Sequence, residues 1–383
     1  MFLAKDTTFI HHQRRFKCLS CGKTFSEVSQ FAPKKGRESY ETIRLILKYS
    51  NSYARSWKEI GELAHVSDTT AINIFDKYMN PKRGTLSKVL SIDECYNKGN
   101  FVHPYSCILF DFTKRKVIDI IDGREKNTLS RYFQTFLKEE LNNVEYVVID
   151  MWEPYLDIAS LYFPKALVAI DSFHVIKNIG KALNDVRLRI MDRYESGTKE
   201  YYLLKHWSNL LFNTYDPNEE RIKIKGYGNR WLNRYDMQRI MLSLDDELRY
   251  AQQYYILYRY HNRNSTKEEF ERKIDIFIND KEIITIREFV DIVEMLSNWK
   301  PYIINSFEVV DGKRLSNGPI ESFNSNFKTL LKTANTMFSH KRFRNRLMYV
   351  FNKIDHFCLS SEPFKKMRRG KRGPYKKATK NQS

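Results

Sequence analysis

The 383-residue chain carries 65 Lys and Arg against 46 Asp and Glu, a formal charge of +19, which suits a polyanionic partner far better than an acidic small molecule. No apolar run approaches the roughly 18 residues of a membrane span. The N-terminus, MFLAKDTTFIHHQRRF, has no apolar stretch ending in a small-residue cleavage site, so a cytoplasmic protein with no membrane partner is expected. Nucleic acid is the leading partner, and the length calls for two or three domains.

Residues 1–36 read as a partial zinc knuckle followed by a loop. Cys18-Leu-Ser-Cys21 has the spacing at which two thiolates reach one Zn²⁺, but a structural site needs four ligands and no second cysteine pair lies nearby. His11 and His12 are adjacent and point opposite ways in extended chain. Zinc is therefore doubtful, and a ribbon remnant is the plainer reading. Ala32-Pro33-Lys34-Lys35-Gly36 marks a boundary.

Residues 37–80 show helical periodicity in three pieces, 38–49, 56–64 and 68–78, with Ser67 or Asp68 capping the last. Trp57-Lys58-Glu59-Ile60-Gly61 through Ala71-Ile72 resembles a helix-turn-helix, whose second helix would present Ser67, Thr69, Thr70 and Asn73 to DNA. Simple three-helix packing gives the same periodicity, and the basic charge favours the DNA reading. Asn80-Pro81-Lys82-Arg83-Gly84 is a linker.

From residue 88 the period changes. Strands are expected at 88–93, 105–111, 117–121, 144–150 and 166–171, with a hairpin at Thr113-Lys114 and helices at 128–138 and 155–162. This β-β-β-α-β-α-β order fits an RNase H-like mixed sheet, an α/β core spanning 88–174. Residues 175–310 read as a large all-helical insertion, and 311–358 as a C-terminal catalytic part. Arg187 and Arg189 fall on a helix as phosphate contacts or a solvated face. Residues 359–383, rich in Lys and Arg, read as a disordered basic tail suited to non-specific phosphate contact.

Asp93 and Asp150 are each expected at the C-terminal end of an apolar strand, the rim where open α/β sheets bind ligands; a carboxylate there can also merely cap a turn. In Asn317-Gly318-Pro319-Ile320-Glu321, the Gly-Pro turn starts a helix that carries Glu321 in its first turn and Asn324 one turn on. A lone glutamate there would complement the helix dipole. Three carboxylates from separate segments suit Mg²⁺ or Mn²⁺. Two such ions about 4 Å apart serve in-line displacement at phosphorus.

Leu90-Ser91-Ile92-Asp93-Glu94, Val148-Ile149-Asp150-Met151-Trp152-Glu153-Pro154-Tyr155, Ile170-Asp171-Ser172-Phe173-His174 and Asn317-Gly318-Pro319-Ile320-Glu321-Ser322 resemble, in order, the motifs of bacterial insertion-sequence transposases of the ISL3 family. The resemblance implies a catalytic and metal-binding triad of Asp93, Asp150 and Glu321 with two Mg²⁺ or Mn²⁺ ions. It also implies cleavage and strand transfer at terminal inverted repeats of double-stranded DNA, by a homodimer or larger assembly. Asp171-x-x-His174 looks like an acidic-x-x-His signature of related groups, giving Asp171 and His174 an accessory role; a structural Asp–His hydrogen bond is the alternative. Glu94 and Glu153 are expected beside the ligands or solvated. The family carries two cysteine pairs where this chain has one, which suggests a shortened reading frame. The rivals are a DNA-binding regulator or decayed remnant, and an RNase H-like nuclease without strand transfer.

Overall fold

Ser39, Ser56 and Ser67 each stand in extended backbone before a helix, and each hydroxyl accepts the backbone N–H three residues on, satisfying a donor that the first turn leaves orphaned. The helices they start are α1 (Tyr40–Ser50), α2 (Trp57–Leu63) and α3 (Asp68–Tyr78). Ahead of them β1 (Arg15–Lys17) and β2 (Thr24–Ser26) form a hairpin with Cys18 and Cys21 between its strands. The computed structural model describes residues 10, 12–27, 29–33, 37–97, 101–333 and 339–354. The expected disordered tail, 359–383, and His11 lie outside them.

The chain forms two units, residues 1–82 with 326–383, and residues 83–325. In the first, Ile46, Leu47, Trp57, Ile60, Ala71 and Phe75 are buried together with Phe343, Leu347 and Tyr349 of the last helix. Trp57 and Phe75 lie 5.2 Å apart, and Phe75 and Tyr349 6.2 Å. Gly61 lets α2 meet the turn after it: a Cβ there would fall 2.7 Å from the Val66 carbonyl oxygen. Arg346 is fully buried, 4.7 Å from the Trp57 ring centroid. It donates to the Ser52 carbonyl at 3.0 Å and to the Arg55 carbonyl, so one side chain ties down the α1–α2 connection.

The second unit is built on β3 (Val89–Tyr96), β4 (Tyr105–Asp111), β5 (Lys116–Asp122), β6 (Tyr146–Ile149) and β7 (Leu167–Ile170), in the order β5-β4-β3-β6-β7. β3, β4 and β5 are antiparallel; β6 and β7 continue in parallel with β3. This five-stranded mixed sheet with helices fits an RNase H-like core. α4 (Lys126–Phe133), α5 (Lys138–Asn142) and α6 (Glu153–Tyr162) lie between the strands in sequence; the helix expected over 128–138 breaks into α4 and α5. Strand residues alternate between two buried faces. Leu90, Ile92, Val147, Ile149, Val168 and Ile170 join the main core, while Val89, Val148, Ala169 and Leu315 form a smaller cluster. Parallel strands covered on both faces read as unbroken apolar runs, which is why β6 and β7 are nearly all Val, Ile and Ala.

After β7 come α7 (Ser172–Met191), α8 (Lys199–His206), β8 (Ile222–Ile224), β9 (Arg230–Leu232), α9 (Arg234–Leu242), α10 (Asp246–Asn264), α11 (Lys267–Ile278), α12 (Arg287–Asn305), β10 (Val309–Val310), β11 (Lys313–Arg314), α13 (Gly318–Thr333) and α14 (His340–Phe351). The insertion is thus not all-helical: β8–β9 is a hairpin within it, and β10–β11 forms a second hairpin across its C-terminal border. Arg187 and Arg189 are neither phosphate contacts nor a solvated face. Arg187 is buried and donates to the Leu204 carbonyl at 2.7 Å, and Arg189 pairs with Glu247 at 2.6 Å and Glu288 at 2.7 Å. The boundary between the two units falls inside α13, after Ser325.

Candidate active site

Sheet register brings the aspartates together. Ser91 pairs with Val148 across β3 and β6, and Ile149 with Ile170 across β6 and β7. Two residues beyond the first pair stand Asp93 and Asp150; one beyond the second stands Asp171, whose backbone N–H reaches the Ile149 carbonyl at 3.0 Å. Asp93 is not at a strand end, as the sequence suggested. β3 runs on to Tyr96 because β4 keeps pairing with it after the β6 ladder stops. Asp93 therefore leans from the middle of one strand over the end of its neighbour.

Each carboxylate is held by short polar contacts. Asp93 Oδ1 accepts the Glu94 backbone N–H at 2.7 Å, and its Oδ2 accepts Asn324 Nδ2 at 2.8 Å. Asp150 Oδ1 accepts Asn317 Nδ2 at 3.2 Å, and its Oδ2 lies 3.2 Å from His174 Nε2. Asp171 caps α7, accepting the Phe173 N–H at 3.4 Å, and accepts the backbone N–H of Asn317. Asp150, Asp171 and His174 present ligand atoms that all lie within 4.8 Å of one another.

Electrostatically the cluster is overloaded. Burial, then the charges of Asp93, Asp171 and Glu94, push the Asp150 carboxyl up to about 8. Burial likewise raises Asp93 and Asp171. Like charges gathered away from water resist ionisation together, and a hard cation relieves that repulsion while matching the carboxylate oxygens. The buried amide oxygens Oδ1 of Asn317 and Asn324 lack a hydrogen-bond partner, leaving acceptors beside the aspartates they steady. The donor set therefore fits a divalent ion.

Glu321 is exposed in the first turn of α13, between Asn317, which touches Asp150, and Asn324, which touches Asp93. No hydrogen bond or ion pair joins it to either aspartate among the described residues. Glu94 does not face solvent alone: Arg124 bridges to its Oε1, and Tyr155 donates to Oε2 at 2.9 Å. The Arg124 guanidinium lies 3.9 Å from the Tyr105 ring centroid and 4.6 Å from that of Trp152. Sequence reasoning missed Arg124 and the role of Asn317; an Asn directly before a Gly-Pro helix start was the available signal for the latter.

Elsewhere, Thr69 and Asn73 are exposed on α3. The Ser67 and Thr70 hydroxyls bond each other at 2.9 Å, and Thr69 Oγ1 lies 3.2 Å from Asp68 Oδ1. Cys18 and Cys21 gather no third ligand among the described residues; hydrogen bonds from Cys21 and Ser20 hold the Cys18 thiol below its usual range. No helix among those residues is long and apolar enough to cross a membrane. No curated protein matches the chain significantly. The model of a transposase family, the DDE transposases of ISL3 type, matches residues 90–347.

Proposed function

The chain belongs to the ISL3 family of DDE transposases, and on that premise we propose that it cuts DNA at the terminal inverted repeats of its element and joins the freed 3′ ends to target DNA. The observation that carries the catalytic reading is the register that stacks Asp93, Asp150 and Asp171 at adjoining strand positions, with Asp150 pushed up to about 8. In this reading Asp93, Asp150 and Glu321 would hold two divalent ions, Mg²⁺ or Mn²⁺. Bound there, the ions supply activation of water or a 3′-hydroxyl and charge neutralisation at the departing oxygen.

The chain's own part is positional. Asn324 fixes the Asp93 rotamer, and Asn317 and His174 grip opposite oxygens of Asp150. Asp171 anchors the helix that carries His174. Arg124 and Tyr155 fix the Glu94 carboxylate. α2 and α3 form a helix-turn-helix, in which Thr69 and Asn73 reach the major groove while Ser67 and Thr70 preserve the helix start. Two ends are handled together by a dimer or larger assembly on DNA.

The test is cleavage and joining of a labelled fragment bearing the element's flanking repeats, comparing the native chain with Asp150→Ala at matched DNA occupancy. Products that require Mg²⁺ or Mn²⁺ and vanish in the variant support the reading. Equal binding by both proteins and no cutting by either under both metals would refute it.

A further inference from the structure

The β8–β9 hairpin presents an exposed indole among several cations, with the exposed Glu220 just before its first strand. Register places Lys223 opposite Trp231 and Ile224 opposite Arg230. Ile224 and Leu232 point into the main core, so the alternate positions, Lys223 and Trp231, point out; Arg230, paired with Ile224, is exposed on the other side of the ribbon, its guanidinium 5.9 Å from the Tyr227 ring centroid. Trp231 is 65% exposed and Ile222 53%. From Arg221 to Leu232 the sequence holds four cations and no acid. Arg221 is spent on Asp236, and the nearby Glu219 on Arg234. No ion pair is recorded for the exposed Lys223, Lys225 or Arg230 among the described residues, and the Lys199 side chain adjoins the turn at Gly228.

The hairpin is also tied down by its turn. A Cβ at Gly226 would fall 2.0 Å from Tyr202 Cζ, so the backbone lies directly on that ring. Tyr227 is buried, and Gly228 and Asn229 take left-handed φ values of 68° and 57°. The Asn229 N–H closes onto the Ile224 carbonyl at 3.0 Å. Packing alone gives no reason to hold an indole in water opposite a lysine. Nucleic acid matches both halves: phosphates take the cations, and a base offers a face to the indole.

We propose that the β8–β9 hairpin is a DNA-contacting element of the transposase, with Lys223, Lys225 and Arg230 on backbone phosphates and Trp231 stacked on a base exposed by an unpaired or distorted step. The assignment rests on the transposase reading and adds a surface to it outside α2–α3 and the carboxylates.

The experiment measures binding of the full-length chain to two fluorescent probes, an intact duplex carrying the terminal repeat and the same duplex with a short unpaired stretch, over a salt series. Lys223→Gln/Lys225→Gln/Arg230→Gln is expected to weaken binding to both about 10- to 100-fold and to flatten the salt slope by about 2 to 3. Trp231→Ala is expected to weaken binding to the unpaired probe about 5- to 100-fold, with Trp231→Phe keeping most of the affinity and the intact duplex little affected. These side chains are exposed, and unchanged circular dichroism and melting verify that the variants fold. Native affinities and slopes in the triple variant overturn the phosphate contacts, and equal loss on both probes with Trp231→Ala overturns stacking. A native chain that binds neither probe overturns this assignment and the transposase reading together. Native binding with metal-dependent cutting but indifferent variants overturns the hairpin assignment alone. A Trp231→Ala defect confined to self-association makes the face a protein interface and overturns the assignment.

Discussion

Asp150→Asn should stabilise the metal-free protein, because it removes the charge that the cluster cannot compensate. The Asp150 carboxyl rises from an ordinary 3.8 to about 8, and its side chain is 13% exposed, so solvent screening is slight. A carboxyl raised on folding contributes fully below its unfolded pKa, and that contribution is lost as pH climbs toward the folded value. At about 1.4 kcal/mol per unit, the loss is at most about 2 kcal/mol at pH 5 and about 4 kcal/mol at pH 7. Sharing of protons with Asp93 and Asp171 reduces both figures, and about 2–3 kcal/mol at pH 7 is expected. For a unit of this size that is an apparent Tm higher by about 5–10 °C, readable in chelator-treated samples through Trp152, Trp207 and Trp299 fluorescence. The gap over the native chain should widen from pH 5 to pH 8. Millimolar Mn²⁺ should close it by stabilising the native chain alone. A variant that melts lower than the native protein at pH 8 without metal, or a gap that narrows as pH rises, would refute the account of a charge-strained site.

Other perturbations reach the remaining contacts. Asn324→Ala frees Asp93 Oδ2 and should slow strand cleavage about 10- to 100-fold with repeat binding unchanged, measured by single-turnover cutting. Gly61→Ala brings a methyl 2.7 Å from the Val66 carbonyl oxygen and should cost about 1–3 kcal/mol, seen in urea denaturation followed by Trp57 emission. Arg346→Met leaves the carbonyls of Ser50, Ser52 and Arg55 without their buried donor. It should cost about 3 kcal/mol or more by the same assay, and DNA affinity should fall with it.

Long periodic segments were legible from sequence: α3 has the expected bounds, and the five strands fall on the apolar runs, three in succession and two separated by helices. Elements of two or three residues were not. β8–β9 and β10–β11 are too short to display a period, and their turns, Gly228-Asn229 and Asp311-Gly312, sit among helical neighbours. Asp93 was misread as a strand end because an apolar run ending in a carboxylate looks terminal. Only the pairing partner β4 carries the strand past it. Arg187 and Arg189 looked like surface cations because their acceptors, the Leu204 carbonyl, Glu247 and Glu288, are remote in sequence. The candidate site divides the same way. Asp93, Asp150, Asp171 and His174 stand out as polar residues at the ends of apolar runs, whereas Asn317 and Arg124 act through partners that only the fold supplies.

The amides that steady the aspartates come from far down the chain: Asn317 lies 167 residues from Asp150, and Asn324 lies 231 from Asp93. At about 5–20 residues per second of synthesis, roughly 10–50 s separate the appearance of the carboxylates on the ribosome from that of their clamps. For that interval the nascent chain carries acidic side chains without the geometry to use them. A translation product that stops short of residue 317 would carry the residues of β3–β7 without either amide clamp, so the held carboxylates belong only to a chain made past residue 324.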